Sequence, residues 1–162
     1  MNYSSIRQLD IANGPGCRVS IFVSGCEHQC KNCFNPETWN FDHGKEFTED
    51  TIQMLLDFAR PEYISGLSIL GGEPLHPSNR SAVLKLVKHF KAEYPDKTVW
   101  LWTGYLWEDV VSALADSEID VVVDGRFVED LKDLRLKYRG STNQRIIDVQ
   151  ASIENNTVIS YI

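Results

Sequence analysis

Residues 17–33 read CRVSIFVSGCEHQCKNC, an apolar run that passes directly into three closely spaced cysteines. The first part of this stretch, Cys17 to Val23, is rich in β-branched and aromatic side chains and predicts a strand. In α/β proteins, functional side chains lie in the loops that follow the carboxyl ends of parallel strands. The stretch therefore predicts an α/β fold with a site directly after this strand.

Further strands and helices alternate along the rest of the chain. Strands are predicted at residues 67–70, 98–102 and 119–123, and helices at residues 48–59, 79–94 and 107–115. This alternation implies right-handed βαβ units and a mostly parallel sheet. Residues 145–162 carry two apolar runs on either side of Asn155 and Asn156, and this pattern predicts a final hairpin.

The length of the chain limits the architecture. Its 162 residues fit a single domain spanning residues 1–162, but they are too few for a complete eight-stranded barrel of roughly 250 residues. A partial, open (β/α) barrel and a doubly wound sheet both remain compatible with the pattern. In either case, the loops after the parallel strands share one edge.

Charge and hydropathy exclude several kinds of partner. The formal net charge is -7, and an acidic surface repels phosphate backbones, so we expect no nucleic-acid partner. No uncharged apolar run approaches the roughly 20 residues that a membrane span requires, and residues 1–14 lack the apolar block of a signal peptide. We therefore expect a cytoplasmic protein without a membrane partner, in which cysteines serve a metal or catalysis rather than disulfides.

Each predicted strand is followed by a distinctive loop. These loops are Ser24-Gly25-Cys26, Gly71-Gly72-Glu73-Pro74, Thr103-Gly104-Tyr105 and Asp124-Gly125-Arg126-Phe127. Loops collect glycine and polar residues in any fold, and this general tendency explains the glycines. It does not explain why three cysteines and a GGEP loop fall at the same edge of the sheet, and this coincidence predicts a functional site there.

The three cysteines of the first loop, Cys26, Cys30 and Cys33, favour a soft metal, chiefly zinc, copper(I) or an iron–sulfur cluster. A cluster of four irons with three cysteine ligands keeps one iron open to a substrate. The fourth cysteine, Cys17, begins a strand whose other end lies roughly 20 Å away, and we expect it to be a buried apolar residue.

A zinc site completed by His28 is the alternative for this loop. Such sites usually combine ligands from two separated segments of the chain, whereas His28 lies between the first two cysteines. We therefore expect His28 to be exposed, or to support the metal ligands without binding the metal.

The spacing Cys-x3-Cys-x2-Cys, with GGEPLHP at residues 71–77, resembles the radical S-adenosylmethionine enzymes. Further stretches extend the resemblance over nearly the whole chain, to the activating proteins of anaerobic ribonucleoside-triphosphate reductases. These stretches are NGPG at 13–16, VSGC at 23–26, WTGY at 102–105, DGRF at 124–127 and RGSTNQR at 139–145. Among the architectures above, the resemblance implies the partial, open barrel with a mostly parallel sheet.

The resemblance also implies the residues of the site. Cys26, Cys30 and Cys33 would be the catalytic and metal-binding residues that hold one [4Fe-4S] cluster. The cofactor-binding residues for S-adenosylmethionine would be Asn32, Cys33, Phe34, Gly71, Gly72 and Glu73. Many members of the superfamily carry an aromatic residue just before the third cysteine, where this chain has Asn32. Arg126 would bind the methionine carboxylate or face a partner, unless it pairs with Asp124.

The implied reaction is the reductive cleavage of S-adenosylmethionine to methionine and a 5′-deoxyadenosyl radical. This radical would take a hydrogen atom from a glycine on the large subunit of the anaerobic (class III) reductase, with an electron donor such as a flavodoxin. Three other functions remain open: a radical enzyme that acts on a free metabolite, a non-enzymatic iron–sulfur protein and a zinc-stabilised binding module.

Overall fold

The computed structural model describes residues 1–34 and 36–162. In this part of the chain, seven strands and four α-helices alternate much as predicted. The strands are β1 (Asn2–Asp10), β2 (Cys17–Val23), β3 (Lys45–Glu46), β4 (Ile64–Gly71), β5 (Thr98–Trp102), β6 (Val121–Asp124) and β7 (Arg145–Asp148). The α-helices are α1 (Glu49–Phe58), α2 (Pro77–Glu93), α3 (Trp107–Leu114) and α4 (Val149–Asn155).

All seven strands form one open, mixed sheet in the order β3-β1-β2-β4-β5-β6-β7. The central strands β2, β4, β5 and β6 are parallel, as the alternating pattern predicts. Antiparallel pairs flank them, with β1 against β2 and β7 against β6. The fold is therefore α/β, and the four predicted strands form its parallel centre.

The strand order places the helices on one face of the sheet. The connections from β2 to β4, from β4 to β5 and from β5 to β6 all advance in the same direction across the sheet. Right-handed crossovers that advance in one direction lie on the same side of the sheet. The main hydrophobic core joins buried residues of all four helices to alternate strand residues such as Val19, Ile21 and Ile69. The intervening residues, among them Phe22, Leu70 and Trp100, point to the opposite face.

The end of the chain differs from the predicted hairpin. After β7, the side chain of Asp148 accepts a hydrogen bond from the Ala151 N–H and caps α4, which ends at Asn156 in the left-handed conformation (φ 50°). The hairpin prediction was wrong because Asn156 terminates a helix. Residues 157–161 then return along β7, where Ile147 and Ser160 form an antiparallel bridge.

Strand β1 and the turn after it were not predicted. The buried carboxylate of Asp10 holds the turn, because it accepts hydrogen bonds from Ser20 Oγ, Asn13 Nδ2 and the Ala12 N–H. Burial alone would raise the pKa of Asp10, but these hydrogen bonds and the charge of Arg7 hold this pKa below its ordinary value of 3.8. The NGPG stretch that follows is thereby fixed at the amino end of β2.

The helices of the described residues are too short or too polar to cross a bilayer. No helix in residues 1–34 and 36–162 combines the length with the apolar character that a membrane span requires.

Candidate functional site

A cleft of about 470 Å³ lies at the carboxyl ends of the parallel strands. The four loops that the sequence places at one edge all contribute to its walls. Its lining from these loops comprises Cys26, His28, Cys30, Cys33, Gly71, Gly72, Glu73, Thr103, Gly104, Gly125 and Phe127. Of the residues predicted to contact a cofactor, Phe34 also lines the cleft, whereas Asn32 is exposed and does not.

The three cysteines of the first loop bring their half-buried thiols to this cleft. Burial raises the pKa of Cys26 to about 11, although the backbone N–H groups of His28 and Gln29 at its sulfur lower it in part. Burial also raises the pKa of Cys30, although a hydrogen bond from the backbone of Phe127 lowers this pKa in part. A metal that binds here must therefore displace protons from the thiols.

The cysteines provide the soft donor set that an iron–sulfur cluster requires. In the part of the chain that the structure describes, no three His, Cys, Asp or Glu side chains converge closely enough to hold a single metal ion. Three thiols along the wall of one cleft fit a cluster that presents several iron atoms to its ligands. Cys17 begins β2 beside Ile64, at the opposite end of the parallel strands from the other three cysteines, as predicted. It is half-buried against the main core, whereas the prediction was a buried residue.

The backbone of the cysteine loop makes two tight turns. Gln29 and Asn32 both adopt positive φ angles, of 48° and 55°, and the Cys33 N–H donates to the Cys30 carbonyl oxygen at 3.1 Å. Asparagine tolerates this left-handed conformation better than most residues do. Asn32 therefore shapes the loop through its backbone, and its side chain is exposed.

The two glycines of the GGEP loop allow β4 to approach the start of the cysteine loop. A Cβ atom on Gly71 (φ +109°) would lie 2.6 Å from the backbone nitrogen of Val23. A Cβ atom on Gly72 would lie 2.7 Å from the carbonyl oxygen of Gly25 and 2.9 Å from that of Thr38. A side chain at Gly72 would thus displace the cysteine loop itself.

Glu73 lies at the centre of the site and is fully buried. Its carboxylate accepts hydrogen bonds from the Leu75 N–H (2.9 Å), Thr103 Oγ1 (2.7 Å) and the Gly104 N–H (2.7 Å). His28 Nε2 lies 2.8 Å from Oε2 of Glu73, the same oxygen that accepts the hydrogen bond from the Gly104 N–H. Of the two roles predicted for His28, exposure was wrong, because its side chain is only 7% exposed and contacts this carboxylate.

Arg126 does not pair with Asp124. The buried carboxylate of Asp124 instead binds the guanidinium group of Arg145, and it also accepts a hydrogen bond from the Trp107 N–H. Arg126 is exposed beside the cysteine loop, where its charge partly opposes the rise in the pKa of Cys30. The alternative of an ion pair with Asp124 was therefore wrong, and the Arg126 side chain faces solvent next to the site.

Comparisons with known proteins agree with this geometry. Residues 12–147 match the family model described as a 4Fe-4S single cluster domain. Anaerobic ribonucleoside-triphosphate reductase-activating proteins from Enterobacteria phage T4 and Vibrio cholerae are 44% and 45% identical to the chain, which they cover to 90%. The one from Escherichia coli K12 is 44% identical over 89% of the chain, and these alignments cover 93%, 97% and 96% of the three relatives. The chain belongs to this activating-protein family.

In this member of the activating-protein family, the RGSTNQR stretch builds the far wall of the cleft. The Gln144 side chain accepts hydrogen bonds from the N–H groups of Gly140 and Ser141, and Asn143 Nδ2 donates to the Arg126 carbonyl oxygen. No structural role was predicted for this stretch from the sequence. Its density of small and amide side chains was the only signal of a hydrogen-bonded loop.

An aromatic contact joins this wall to the cysteine loop. The rings of Phe34 and Phe127 lie 4.9 Å apart, and a Cβ atom on Gly140 would approach the Phe34 ring to 2.6 Å. Gly140 therefore provides the space that Phe34 occupies. This pair ties the carboxyl end of the cysteine loop to the DGRF loop, a contact that the sequence did not predict.

Proposed function

We propose that this protein reductively cleaves S-adenosylmethionine at a [4Fe-4S] cluster held by Cys26, Cys30 and Cys33. Through this reaction it would generate a glycyl radical on the large subunit of an anaerobic (class III) ribonucleoside-triphosphate reductase. The observation that carries the proposal is the meeting of the three-cysteine loop and the GGEP loop in one cleft. Membership of the activating-protein family supports the partner.

The volume of the cleft suits a small organic cofactor. Ligand pockets usually measure about 300 to 1,000 Å³, and this cleft of about 470 Å³ falls within that range. On one side, we assign the contacts with S-adenosylmethionine to Cys33 and Phe34, and Asn32 contributes through the turn that its backbone forms. Gly71, Gly72 and Glu73 contribute from the other side, where the loop presents mainly its backbone.

The bound cluster would supply the electron that breaks the bond between the sulfonium sulfur and the 5′ carbon. The role of the chain is to hold the sulfonium near the cysteine loop and to exclude water. Apolar side chains such as Phe22, Leu70, Trp102 and Phe127 line the cleft and lower the local dielectric. In the described residues, all four α-helices pack against the other face of the sheet, which supports a partial-barrel fold of the radical S-adenosylmethionine type.

A protein substrate suits this open cleft. All four helices of the described chain pack against the opposite face of the sheet, so they leave the cleft uncovered. A segment of the reductase that carries the target glycine would close the cleft as it enters. We further propose an electron donor such as a flavodoxin, and a cytoplasmic location, where reducing conditions preserve the thiols.

Electron paramagnetic resonance tests the proposal. The reduced protein, S-adenosylmethionine and the reductase are mixed without oxygen, and we expect a glycine-centred doublet together with 5′-deoxyadenosine. The doublet should be absent when Cys30→Ala replaces the wild-type protein, or when the reductase carries alanine at its target glycine. Turnover of a small metabolite without any signal on the reductase would contradict the proposal.

A further inference from the structure

The carboxylate of Glu73 has its hydrogen-bonding capacity filled by the protein itself. Two carboxylate oxygens offer about four acceptor positions, and the side chain of Glu73 has four partners. These partners belong to three different segments: Leu75 after β4, Thr103 and Gly104 after β5, and His28 in the cysteine loop. An ammonium group could bind this carboxylate only by displacing one of these buried partners.

His28 is the only one of these partners that comes from the cysteine loop. Its imidazole ring lies in a slot beside Gly104, where an added Cβ atom would approach His28 Cδ2 to 2.5 Å. The edge of the ring also meets Tyr105, with ring centroids 4.7 Å apart. Packing and hydrogen bonding therefore hold His28 in one position, two residues from both Cys26 and Cys30.

Fixing His28 also fixes the donors that face a metal ligand. The backbone N–H groups of His28 and Gln29 point at the sulfur of Cys26. Hydrogen bonds to ligand sulfurs tune the reduction potential of an iron–sulfur cluster, and the residues that orient ligands affect metal affinity. Displacement of His28 would move these donors and the ligand together.

We propose that Glu73 and His28 form a positioning pair, which anchors the segment between Cys26 and Cys30 to the loops after β4 and β5. The side chain of Glu73 then acts on the cluster through His28 and does not bind the ammonium group of S-adenosylmethionine. This inference rests on the proposed function, because it assumes a cluster on the three cysteines. The pair supports the cluster whether or not a reductase is present.

The first test compares His28→Leu with His28→Gln in the cluster-loaded protein, without S-adenosylmethionine or reductase. Leucine removes the donor to Glu73, whereas glutamine keeps an N–H group. Iron release to a chelator should be roughly 10- to 100-fold faster for His28→Leu, and His28→Gln should restore much of the difference. His89→Leu, at an exposed position on α2, is the matched control and should release iron at the wild-type rate.

The second test uses Glu73→Gln and follows the reduction potential of the cluster. We expect a shifted potential, and the effects of Glu73→Gln and His28→Leu should be strongly non-additive because the two residues act as a unit. Glu27→Gln removes an exposed carboxylate of the same loop, which pairs with His76, and is the control for the loss of one negative charge near the cluster. An equal shift in Glu27→Gln, or additive effects of the two replacements, would overturn the positioning pair.

A third comparison separates positioning from ammonium binding. If Glu73 positions the loop, Glu73→Gln should weaken the binding of S-adenosylmethionine and of its analogue without the α-amino group by the same factor. Selective weakening of S-adenosylmethionine would show that the carboxylate binds the ammonium group, and the inference would then be wrong. Formation of the glycyl radical by wild-type protein is measured separately, so failure of the proposed function remains distinguishable.

Discussion

At the scale of single residues, the sheet separates one cysteine from the other three. Cys17 begins β2, and Cys26, Cys30 and Cys33 follow its other end. We expect Ala at position 26, 30 or 33 to abolish cluster binding, because each change removes a soft ligand. Cys17→Ala should keep the wild-type content of iron and sulfide per chain, measured after anaerobic reconstitution. Loss of iron from folded Cys17→Ala would contradict the three-ligand assignment.

The close approach of β4 to the cysteine loop allows a matched pair of glycine replacements. Gly71 and Gly125 both have positive φ angles, of +109° and +91°, so alanine strains the backbone at either position. Only at Gly71 would the new Cβ atom meet the backbone closely, 2.6 Å from the Val23 nitrogen, since the nearest atom at Gly125 is 3.7 Å away. We therefore expect Gly71→Ala to lower the free energy of unfolding by about 1 to 3 kcal/mol more than Gly125→Ala does.

Urea unfolding of the cluster-free protein measures this difference. Equal loss of stability in the two variants would show that β4 can move away from Val23, at the end of β2, at no cost in free energy.

The functional residues differ in how far the sequence alone could predict them. The cysteines and the GGEP loop stand out because their spacing is unusual, and the structure brings them to one cleft. The saturation of the Glu73 carboxylate was beyond sequence reasoning, because its partners Thr103 and His28 are 30 and 45 residues away along the chain. Sequence distance conceals which donors a buried carboxylate will meet.

At the scale of the elements, the buried strands were the easiest to predict. The bounds of β2 and β5 agree with the prediction, because their many β-branched and aromatic residues are typical of buried strands. Strand β1 contains mostly polar residues at exposed or half-buried positions, so its pattern resembles that of a loop. The α4 helix is only seven residues long and was too short to show a helical period.

The turn after β1 makes the stability of the fold depend on pH. Because the pKa of Asp10 is lower in the folded protein than its ordinary value of 3.8, its contribution is fully present above that value and is lost as pH falls through the folded pKa. We expect the urea midpoint of the wild-type protein to fall more steeply than that of Asp10→Asn between about pH 5 and about pH 2.

Asp116→Asn is the control for this pH dependence, because Asp116 is an exposed residue in the turn after α3. Substitutions at exposed positions change stability little, so this variant should follow the wild-type curve closely. Parallel curves for the wild type and Asp10→Asn would show that the carboxylate of Asp10 does not stabilise the turn.

At the scale of the whole molecule, the two faces of the sheet should respond differently to the reductase. The helices cover one face, and the cleft opens on the other. In hydrogen–deuterium exchange with the reductase, we expect slower exchange in peptides that contain Phe34, Leu134 or Tyr138, which line the cleft. Peptides of α2, on the far side of the sheet, should be unaffected; protection confined to α2 would contradict docking at the cleft.

An open sheet has two outer sides, and neither offers a long regular strand in this protein. On one side, the two-residue strand β3 carries the exposed charges of Lys45 and Glu46 and pairs only with Asn2 and Tyr3, while two register shifts interrupt the rest of β1. On the other side, residues 157–161 run along the outer side of β7. Short, charged or covered edges prevent strands of separate molecules from joining through their backbones. The protein can thus keep an open sheet, with the access that a large substrate requires, without the tendency to polymerise that bare edges would bring.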